Sequence, residues 1–268
     1  MYVHEGMQSL RVRLACLYFL SMNLQDFFKL NTDVAIAFSG GVDSAYLLYA
    51  ACKWAKKVKA FYIKSVFQPQ FELDDALRLS KELGADMEIL NVDVLQSRQV
   101  ASNPADRCYH CKRQIFGNIQ AAAQADGFTV LLDGTNASDD EGDRPGMRAL
   151  RELEVKSPLR ECGLTKSEIR RLSKEAGLFT WDKPSYACLA TRIRTGEEIT
   201  TEKLQITEQA EGFLFGLGFS DFRVRMRGSG ALVQIKESQI LKARELWDNI
   251  EKELGKYYSP VTLDNIPR

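Results

Sequence analysis

Short blocks of hydrophobic positions, separated by polar ones, predict strands and helices in turn along most of the chain. Four apolar runs have the length of buried strands: residues 34–38, 58–63, 87–92 and 129–132. A weaker fifth run lies near residue 155. Four other segments place apolar side chains at helical spacing: residues 44–54, 70–83, 112–125 and 166–176. The last of these opens with a capping box, Thr165 with Glu168, and ends at Gly177. Because strands and helices alternate, we predict an α/β fold in which helices cover both faces of a parallel sheet.

The pattern changes after residues 182–196, a polar segment that interrupts the alternation. Beyond it, the spacing predicts two helices, at residues 201–217 and 238–254. It also predicts a hairpin of residues 222–227 with 231–235 and a last strand at residues 258–263. We therefore predict two domains, an α/β domain at residues 22–197 and a small α+β domain at residues 198–268. Residues 1–21 are predicted to be an extension that precedes the first domain.

The motif that follows the first predicted strand is the most specific signal for chemistry. A strand, a pair of glycines and a helix start make a binding place for phosphate, because glycine lets the backbone approach an anion and the first helix amides face it. The motif differs from the Walker loop, G-x-x-x-x-G-K-[ST], since it has no lysine in the equivalent place. Its serine hydroxyls can donate to phosphate, and its carboxylate is a candidate ligand for Mg²⁺. The loop residues are Ser39, Gly40, Gly41, Val42, Asp43 and Ser44.

A second polar turn follows the fourth predicted strand. It begins with Asp133, Gly134, Thr135 and Asn136 and continues through Asp139, Asp140, Asp143 and Arg144. Parallel strands bring their carboxyl ends to one edge of the sheet, so this turn is expected beside the glycine loop. Its carboxylates and amides could bind magnesium or ribose hydroxyls, and we predict that Gly134 and Thr135 contact a nucleotide. The alternative is an ordinary solvated turn.

Three cysteines are candidates for chemistry. Cys188 lies near Arg192 and Arg194, whose charges favour the reactive thiolate, although a free cysteine is often a small buried hydrophobe. Cys108 and Cys111 form a C-x-x-C motif, which is typical of a redox dithiol, half of a zinc site or part of an iron–sulfur site. Together the three thiolates suffice to hold a [4Fe–4S] cluster with one iron left open. Two unlinked thiols at a helix start remain the alternative for the C-x-x-C motif.

Composition narrows the partners and the compartment. Lys plus Arg and Asp plus Glu both total 36, so no overall basic charge argues for nucleic-acid binding. Six cysteines are too sparse for a secreted disulfide scaffold, and no apolar run approaches the roughly 18 residues of a membrane span. The apolar run at residues 14–20 lacks a convincing signal-peptide cleavage site. We therefore predict a cytoplasmic protein without a nucleic-acid or membrane partner.

Taken together, these motifs resemble the LarE family of ATP-dependent sulfurtransferases, which belongs to the PP-loop ATP-pyrophosphatase superfamily. The resemblance runs from about Met22 to the end of the chain. It rests on Ala-Phe-Ser-Gly-Gly-Val-Asp-Ser at 37–44, Asp-Gly-Thr-Asn at 133–136 with Arg-Pro-Gly at 144–146, Ser-Pro-Leu at 157–159, Lys-Pro-Ser-Tyr-Ala-Cys-Leu-Ala-Thr-Arg at 183–192, and Arg-Val-Arg at 223–225. The first motif is shared across the superfamily, whereas the one that contains Cys188 is more specific.

The resemblance implies a two-step reaction with Mg²⁺ and ATP. A carboxylate of a pyridinium-3,5-dicarboxylate mononucleotide is adenylated, and sulfur then displaces AMP to leave a thiocarboxylate for the nickel-pincer cofactor of lactate racemase. By the same resemblance Asp43 and Cys188 are expected to be catalytic, and a substrate clamp is expected at Arg192, Arg223 and Arg225. The two strand arginines lie at alternate positions, hence on one face, where guanidiniums can bind a phosphate or carboxylate. The family also implies a homo-oligomer.

The sulfur source differs between two branches of the family. In one branch a lone cysteine at the position of Cys188 gives up its own sulfur and becomes dehydroalanine. In the other, three cysteines hold a [4Fe–4S] cluster whose open iron carries a transferable sulfide. Because this chain has Cys108 and Cys111, we predict the cluster branch, with sulfide or persulfide as the external donor.

Other functions compatible with the loop are a tRNA thiolase, an amidotransferase-like ATP-pyrophosphatase and a nucleotide-binding sensor without enzymatic activity. The zero net charge weighs against the tRNA thiolase. The amidotransferase-like ligase leaves Cys188 and the C-x-x-C motif unexplained.

Overall fold

A computed structural model describes residues 22–139 and 145–266 of the chain. The predicted extension at residues 1–21 lies outside the described residues, as do Asp140, Asp143 and Arg144 of the second polar turn. No helix within the described ranges is long and apolar enough to cross a membrane.

The larger sheet has four parallel strands in the order β3-β2-β1-β4. The strands are β1 (Asp33–Phe38), β2 (Lys57–Lys64), β3 (Met87–Asn91) and β4 (Leu131–Leu132). The predicted fifth strand near Val155 is reduced to a single parallel bridge between Leu132 and Lys156. Ligands of such open sheets bind where the strand order reverses, which here is the carboxyl edge between β1 and β4.

Helices pack on both faces of this sheet, as the alternating pattern predicts. Val34, Ile36 and Phe38 of β1 point into one hydrophobic cluster, whereas the intervening Ala35 and Ala37 point into another. The helices of this part are α1 (Leu24–Leu30), α2 (Val42–Trp54), α3 (Gln70–Leu83), α4 (Arg98–Ala101), α5 (Arg107–Ala125), α6 (Pro145–Glu152), α7 (Pro158–Glu161) and α8 (Lys166–Glu175). Helix α5 starts at Arg107 rather than at residue 112, so the C-x-x-C motif lies inside its first turns instead of before it.

The smaller sheet is mixed. Strands β5 and β6 form an antiparallel hairpin, and β7 pairs with β6 in parallel. The elements are α9 (Thr201–Gly216), β5 (Phe222–Arg227), β6 (Gly230–Ile235), α10 (Ile240–Glu245), α11 (Trp247–Leu254) and β7 (Val261–Leu263). The single helix predicted at residues 238–254 is instead two helices, which are separated at Leu246.

The hydrophobic cluster of the smaller sheet extends beyond it. Leu189, Ala190 and Ile193, which follow Cys188, are buried in the same cluster as Val224 of β5. Cys111 of α5 is also part of that cluster. The segment that carries Cys188 therefore lies at the junction between the two sheets, and the predicted boundary at residue 197 stays a prediction.

Candidate active site

The predicted phosphate loop connects β1 to α2 and lies close against α3. Gly40 has a φ of +73°, which other residues rarely adopt, and a Cβ atom there would stand 3.1 Å from the backbone oxygen of Glu72, so the position strongly favours glycine. Gly41 is the N-cap residue of α2, and no side chain caps this helix end. The Ser44 hydroxyl donates to the Gly41 oxygen over 3.1 Å and lies 3.0 Å from the Ser39 hydroxyl. The local bonds hold the loop in shape, while the helix amides stay available for an anion.

The turn after β4 meets this loop, as the parallel topology predicts. A Cβ atom on Gly134 would stand 2.9 Å from the Ser44 nitrogen, so glycine is needed for the close approach of the two loops. The Thr135 hydroxyl donates to Asp133 over 2.5 Å, and the Ser157 hydroxyl donates to the same carboxylate over 2.6 Å. The buried Asp133 therefore organises the turn.

Asp43 of the loop faces a lysine that the sequence analysis missed. The Lys166 ammonium, at the start of α8, lies 2.5 Å from the Asp43 carboxylate, and the Asn136 amide donates to Asp43 over 3.4 Å. Burial raises the pKa of Asp43, while Lys166 opposes that rise. The capping box at Thr165 locates the helix start, but nothing local shows that its first side chain points to the loop.

A cleft of about 460 Å³ connects the loop to Cys188. Its walls include polar groups from both ends of the site: Ser39, Asp43, Lys166, Lys183, Tyr186 and Cys188. The aromatic and aliphatic side chains of β2 and α5 line its inner part, as is usual for a small-molecule site. The fold thus brings the phosphate loop and the candidate cysteine into one cavity although they are far apart in the sequence.

Glu72 is a second cleft residue that the sequence analysis missed. Burial raises the pKa of Glu72 to about 7, although the charges of Lys183 and Arg192 oppose the rise. The hydroxyl of Tyr62, another cleft residue, is buried and has no hydrogen-bond partner among the described residues. The cleft therefore contains a carboxyl group that changes charge near neutral pH and a hydroxyl that is available to a ligand.

The backbone around Cys188 is held by one carboxylate of α9. Arg192 is fully buried and donates from Nε and Nη2 to the two oxygens of Glu211, over 2.7 and 2.9 Å. The Tyr186 hydroxyl donates to the same carboxylate. Arg192 also donates to the Ala187 oxygen over 2.9 Å. Residues on both sides of Cys188 are therefore anchored to Glu211.

The two strand arginines of the predicted clamp lie beside the same segment. Arg223 is buried and donates to the Ser185 oxygen over 2.8 Å. Arg225 donates to the Thr191 oxygen over 2.8 Å and to Gln234 over 2.5 Å. Like Arg192, both guanidiniums bond to this chain's own groups, and their role toward a substrate stays a prediction.

The three candidate thiols are neighbours. Cys108 is exposed and Cys111 is buried, while Cys188 is intermediate and contacts the cluster that contains Cys111. Burial raises the pKa of Cys111 to about 12, and nearby Cys188 and Cys108 add to the rise. Burial also raises the pKa of Cys188, which outweighs the lowering by Arg107 and Arg192. Arg192 thus favours the thiolate, as expected from the sequence, but its effect on the pKa of Cys188 is smaller than that of burial.

Arg107 links the C-x-x-C motif to the Cys188 segment, a role that the sequence analysis missed. Its guanidinium donates to the Asn103 side chain over 2.7 Å and to the Ala190 oxygen over 3.1 Å, and it lies 3.8 Å from the Cys108 sulfur. Three thiols are the donor chemistry that a [4Fe–4S] cluster needs. In residues 22–139 and 145–266, however, no three His, Cys, Asp or Glu side chains converge as ligands of a metal ion.

Comparisons with known proteins decide the family. No protein-family model matches the chain. It is 30% identical to pyridinium-3,5-bisthiocarboxylic acid mononucleotide synthase of Lactiplantibacillus plantarum, over 86% of this chain and 85% of that protein. The chain belongs to the LarE family. This LarE-family protein is an ATP-dependent sulfurtransferase.

Two further relatives are similar to this chain. An uncharacterised protein of Synechocystis sp. is 36% identical over 81% of this chain and 82% of its own length. The tRNA-specific 2-thiouridylase MnmA of Thermotoga sp. is 27% identical, over 54% of this chain and 52% of that enzyme. The match to the tRNA enzyme covers much less of both proteins than the match to the LarE synthase does.

Proposed function

We propose that this LarE-family enzyme adenylates a carboxylate of a pyridinium-3,5-dicarboxylate mononucleotide and then replaces one carboxylate oxygen by sulfur. The observation that carries this proposal is the single cleft that the phosphate loop and Cys188 share. A reaction that couples ATP cleavage to sulfur transfer needs both groups beside one substrate carbon. The name of the Lactiplantibacillus relative, a synthase of the bisthiocarboxylic acid mononucleotide, supports the substrate class.

Adenylation makes the carboxylate carbon reactive. A carboxylate oxygen attacks the α-phosphorus of ATP, the bond from that phosphorus to the bridging oxygen breaks, and pyrophosphate leaves with the electron pair. Oxide is a very poor leaving group, whereas AMP is a good one, so the second step becomes accessible. The amides at the start of α2 stabilise negative charge on the phosphates. Asp43 would hold Mg²⁺, which would neutralise charge on the leaving pyrophosphate.

For the sulfur source, we propose that Cys108, Cys111 and Cys188 hold a [4Fe–4S] cluster. When bound, the cluster would supply a sulfide on its open iron. The proximity of the three thiols supports this assignment. In the described residues the three thiols do not converge as ligands, which weighs against the cluster.

The same residues support a second sulfur source, the thiol of Cys188 itself. After losing its proton, the sulfur attacks the acyl-adenylate carbon and AMP leaves, which gives a thioester. Removal of the Cα proton of Cys188 then breaks the Cβ–S bond, leaving dehydroalanine in the chain and a thiocarboxylate on the substrate. Burial raises the pKa of Cys188, but Arg107 and Arg192 oppose that rise and so favour loss of the thiol proton.

Two measurements test the function and its sulfur source. The enzyme is incubated with Mg-ATP and the dicarboxylate nucleotide, and AMP, pyrophosphate and thiocarboxylate are quantified; no product under these conditions would refute the proposed substrate. Intact mass of the protein is recorded before and after one turnover. Loss of one sulfur and two hydrogens identifies Cys188 as the donor. An unchanged polypeptide mass, with iron and sulfide bound after anaerobic reconstitution, identifies the cluster.

We also propose that the enzyme works in the cytoplasm as a homo-oligomer that is resupplied by sulfide or a persulfide. Light scattering of the purified protein tests the assembly. A strictly monomeric protein at micromolar concentration would contradict it.

A further inference from the structure

The phosphate loop lacks the lysine of a Walker loop, yet the fold places one against it from a distant segment. The Lys183 ammonium lies 3.4 Å from the backbone oxygen of Gly40 and 2.6 Å from the carboxylate of Asp75 on α3. Its side chain is largely buried, with 15% exposed, and it lines the cleft. Lys183 therefore joins the loop, helix α3 and the segment that leads to Cys188.

The position of this ammonium points to an anion. Lysine is almost never fully buried unless it is paired, and Asp75 pairs with Lys183 as Glu88 and Asp126 pair with Lys59. Lys183 differs from Lys59 because it lies against an anion-binding loop, and phosphate oxygens are strong acceptors for an ammonium. The other lysine of the cleft, Lys166, is paired with Asp43 of the loop.

We propose that Lys183 binds the β- and γ-phosphates of ATP and the pyrophosphate that is released, exchanging Asp75 for phosphate oxygens. This inference rests on the proposed use of ATP, but not on the identity of the carboxylate substrate. As the bond to the α-phosphorus breaks, negative charge grows on the bridging oxygen, and the ammonium neutralises it without transferring a proton. Because Lys183 and Cys188 belong to one segment, occupation of the loop by phosphates also positions the cysteine.

The test compares three ligands, ATP, pyrophosphate and AMP, each bound to the full-length protein without the pyridinium nucleotide. Lys183→Met is expected to weaken the binding of ATP and of pyrophosphate by about 10- to 100-fold, the usual contribution of one charged hydrogen bond. AMP has no β- or γ-phosphate, so its affinity should stay within about twofold of wild type. Lys183→Arg keeps the charge and should restore most of the ATP affinity.

Two further variants separate binding from a structural role. Asp75→Asn removes the resting partner of Lys183, so ATP should bind at least as tightly as to wild type. Lys59→Met is the matched control, because Lys59 is similarly buried, at 17% exposed, and paired with Glu88 and Asp126. Lys59 does not line the cleft. The proposal would be overturned if Lys183→Met weakened the binding of ATP and AMP equally, or did not weaken the binding of ATP. All three ligand affinities are measured before any turnover, so a wrong carboxylate substrate would not affect the result.

Discussion

Removing one partner of the buried pair of Arg192 and Glu211 should be one of the most destabilising single changes to the Cys188 segment. Replacing Arg192 by Met removes the bidentate pair and the bond to the Ala187 oxygen. The Glu211 carboxylate then stays buried, at 1% exposed, without its compensating charge. Breaking a buried pair from one side typically costs about 3–5 kcal/mol. Glu211 keeps two donors, the Tyr186 hydroxyl and the Val224 amide, so we expect the free energy of unfolding to fall by about 3 kcal/mol, the lower end of this range.

Urea unfolding followed by circular dichroism measures this loss, and thiol labelling measures its local effect. Arg192→Met should lower the free energy of unfolding and increase the labelling rate of Cys188, because the segment is no longer anchored to α9. Arg171→Met is the matched control, since Arg171 pairs with Glu175 within one helix but is 60% exposed. Such exposed pairs contribute only about 0.3–0.5 kcal/mol. A loss below about 1 kcal/mol for Arg192→Met would show that the buried pair does not anchor the segment.

Three other predictions concern the cleft. Gly134→Ala should reduce ATP-dependent turnover much more than stability, because its Cβ atom would stand 2.9 Å from the Ser44 nitrogen and push the two loops apart. Steady-state kinetics and thermal unfolding measure the two effects. Unchanged turnover would contradict the close approach of the loops. The pKa of Glu72 is raised from 4.5 to about 7, so the folded protein binds this proton more tightly than the unfolded chain does. The stability that this proton contributes should be lost as pH rises from about 4.5 to 7. Urea unfolding across this range should show a decline in the free energy of unfolding for wild type that Glu72→Gln lacks. Cys188→Ser should abolish thiocarboxylate formation but keep pyrophosphate release, whereas the control Cys52→Ser should keep both. Thiocarboxylate formed by the Cys188 variant would show that this cysteine is not needed for sulfur transfer.

Local patterns predicted the elements that hold the phosphate site. The apolar run before Ser39 forms a strand and the glycine pair leads into a helix, as the sequence predicts. The helix begins at Val42, two residues before its predicted start at residue 44. The capping box of Thr165 and Glu168 is present at the start of α8. These features depend on neighbours within a few residues, so the order of residue types is sufficient to predict them.

The start of α5 was predicted less well. The C-x-x-C motif was expected before the helix, but the helix already begins at Arg107. The N-cap residue, Asp106, is of a type that favours helix starts, but its side chain caps no backbone amide of this helix. The guanidinium of Arg107 instead bonds to Asn103 and to the oxygen of Ala190, which is distant in the chain.

The sequence by itself determined that this chain has a phosphate loop at the carboxyl edge of a parallel sheet and a cysteine segment of LarE type. Only the tertiary structure decided what surrounds those groups: Lys183 at the loop, Glu211 behind the Cys188 segment, and burial that raises the pKa of Cys188. Motifs are read from adjacent residues, whereas charge state and anchoring depend on desolvation and on partners from distant segments. Folding alone brings those partners within a few ångströms, which is why the chemistry of the cleft required the three-dimensional arrangement.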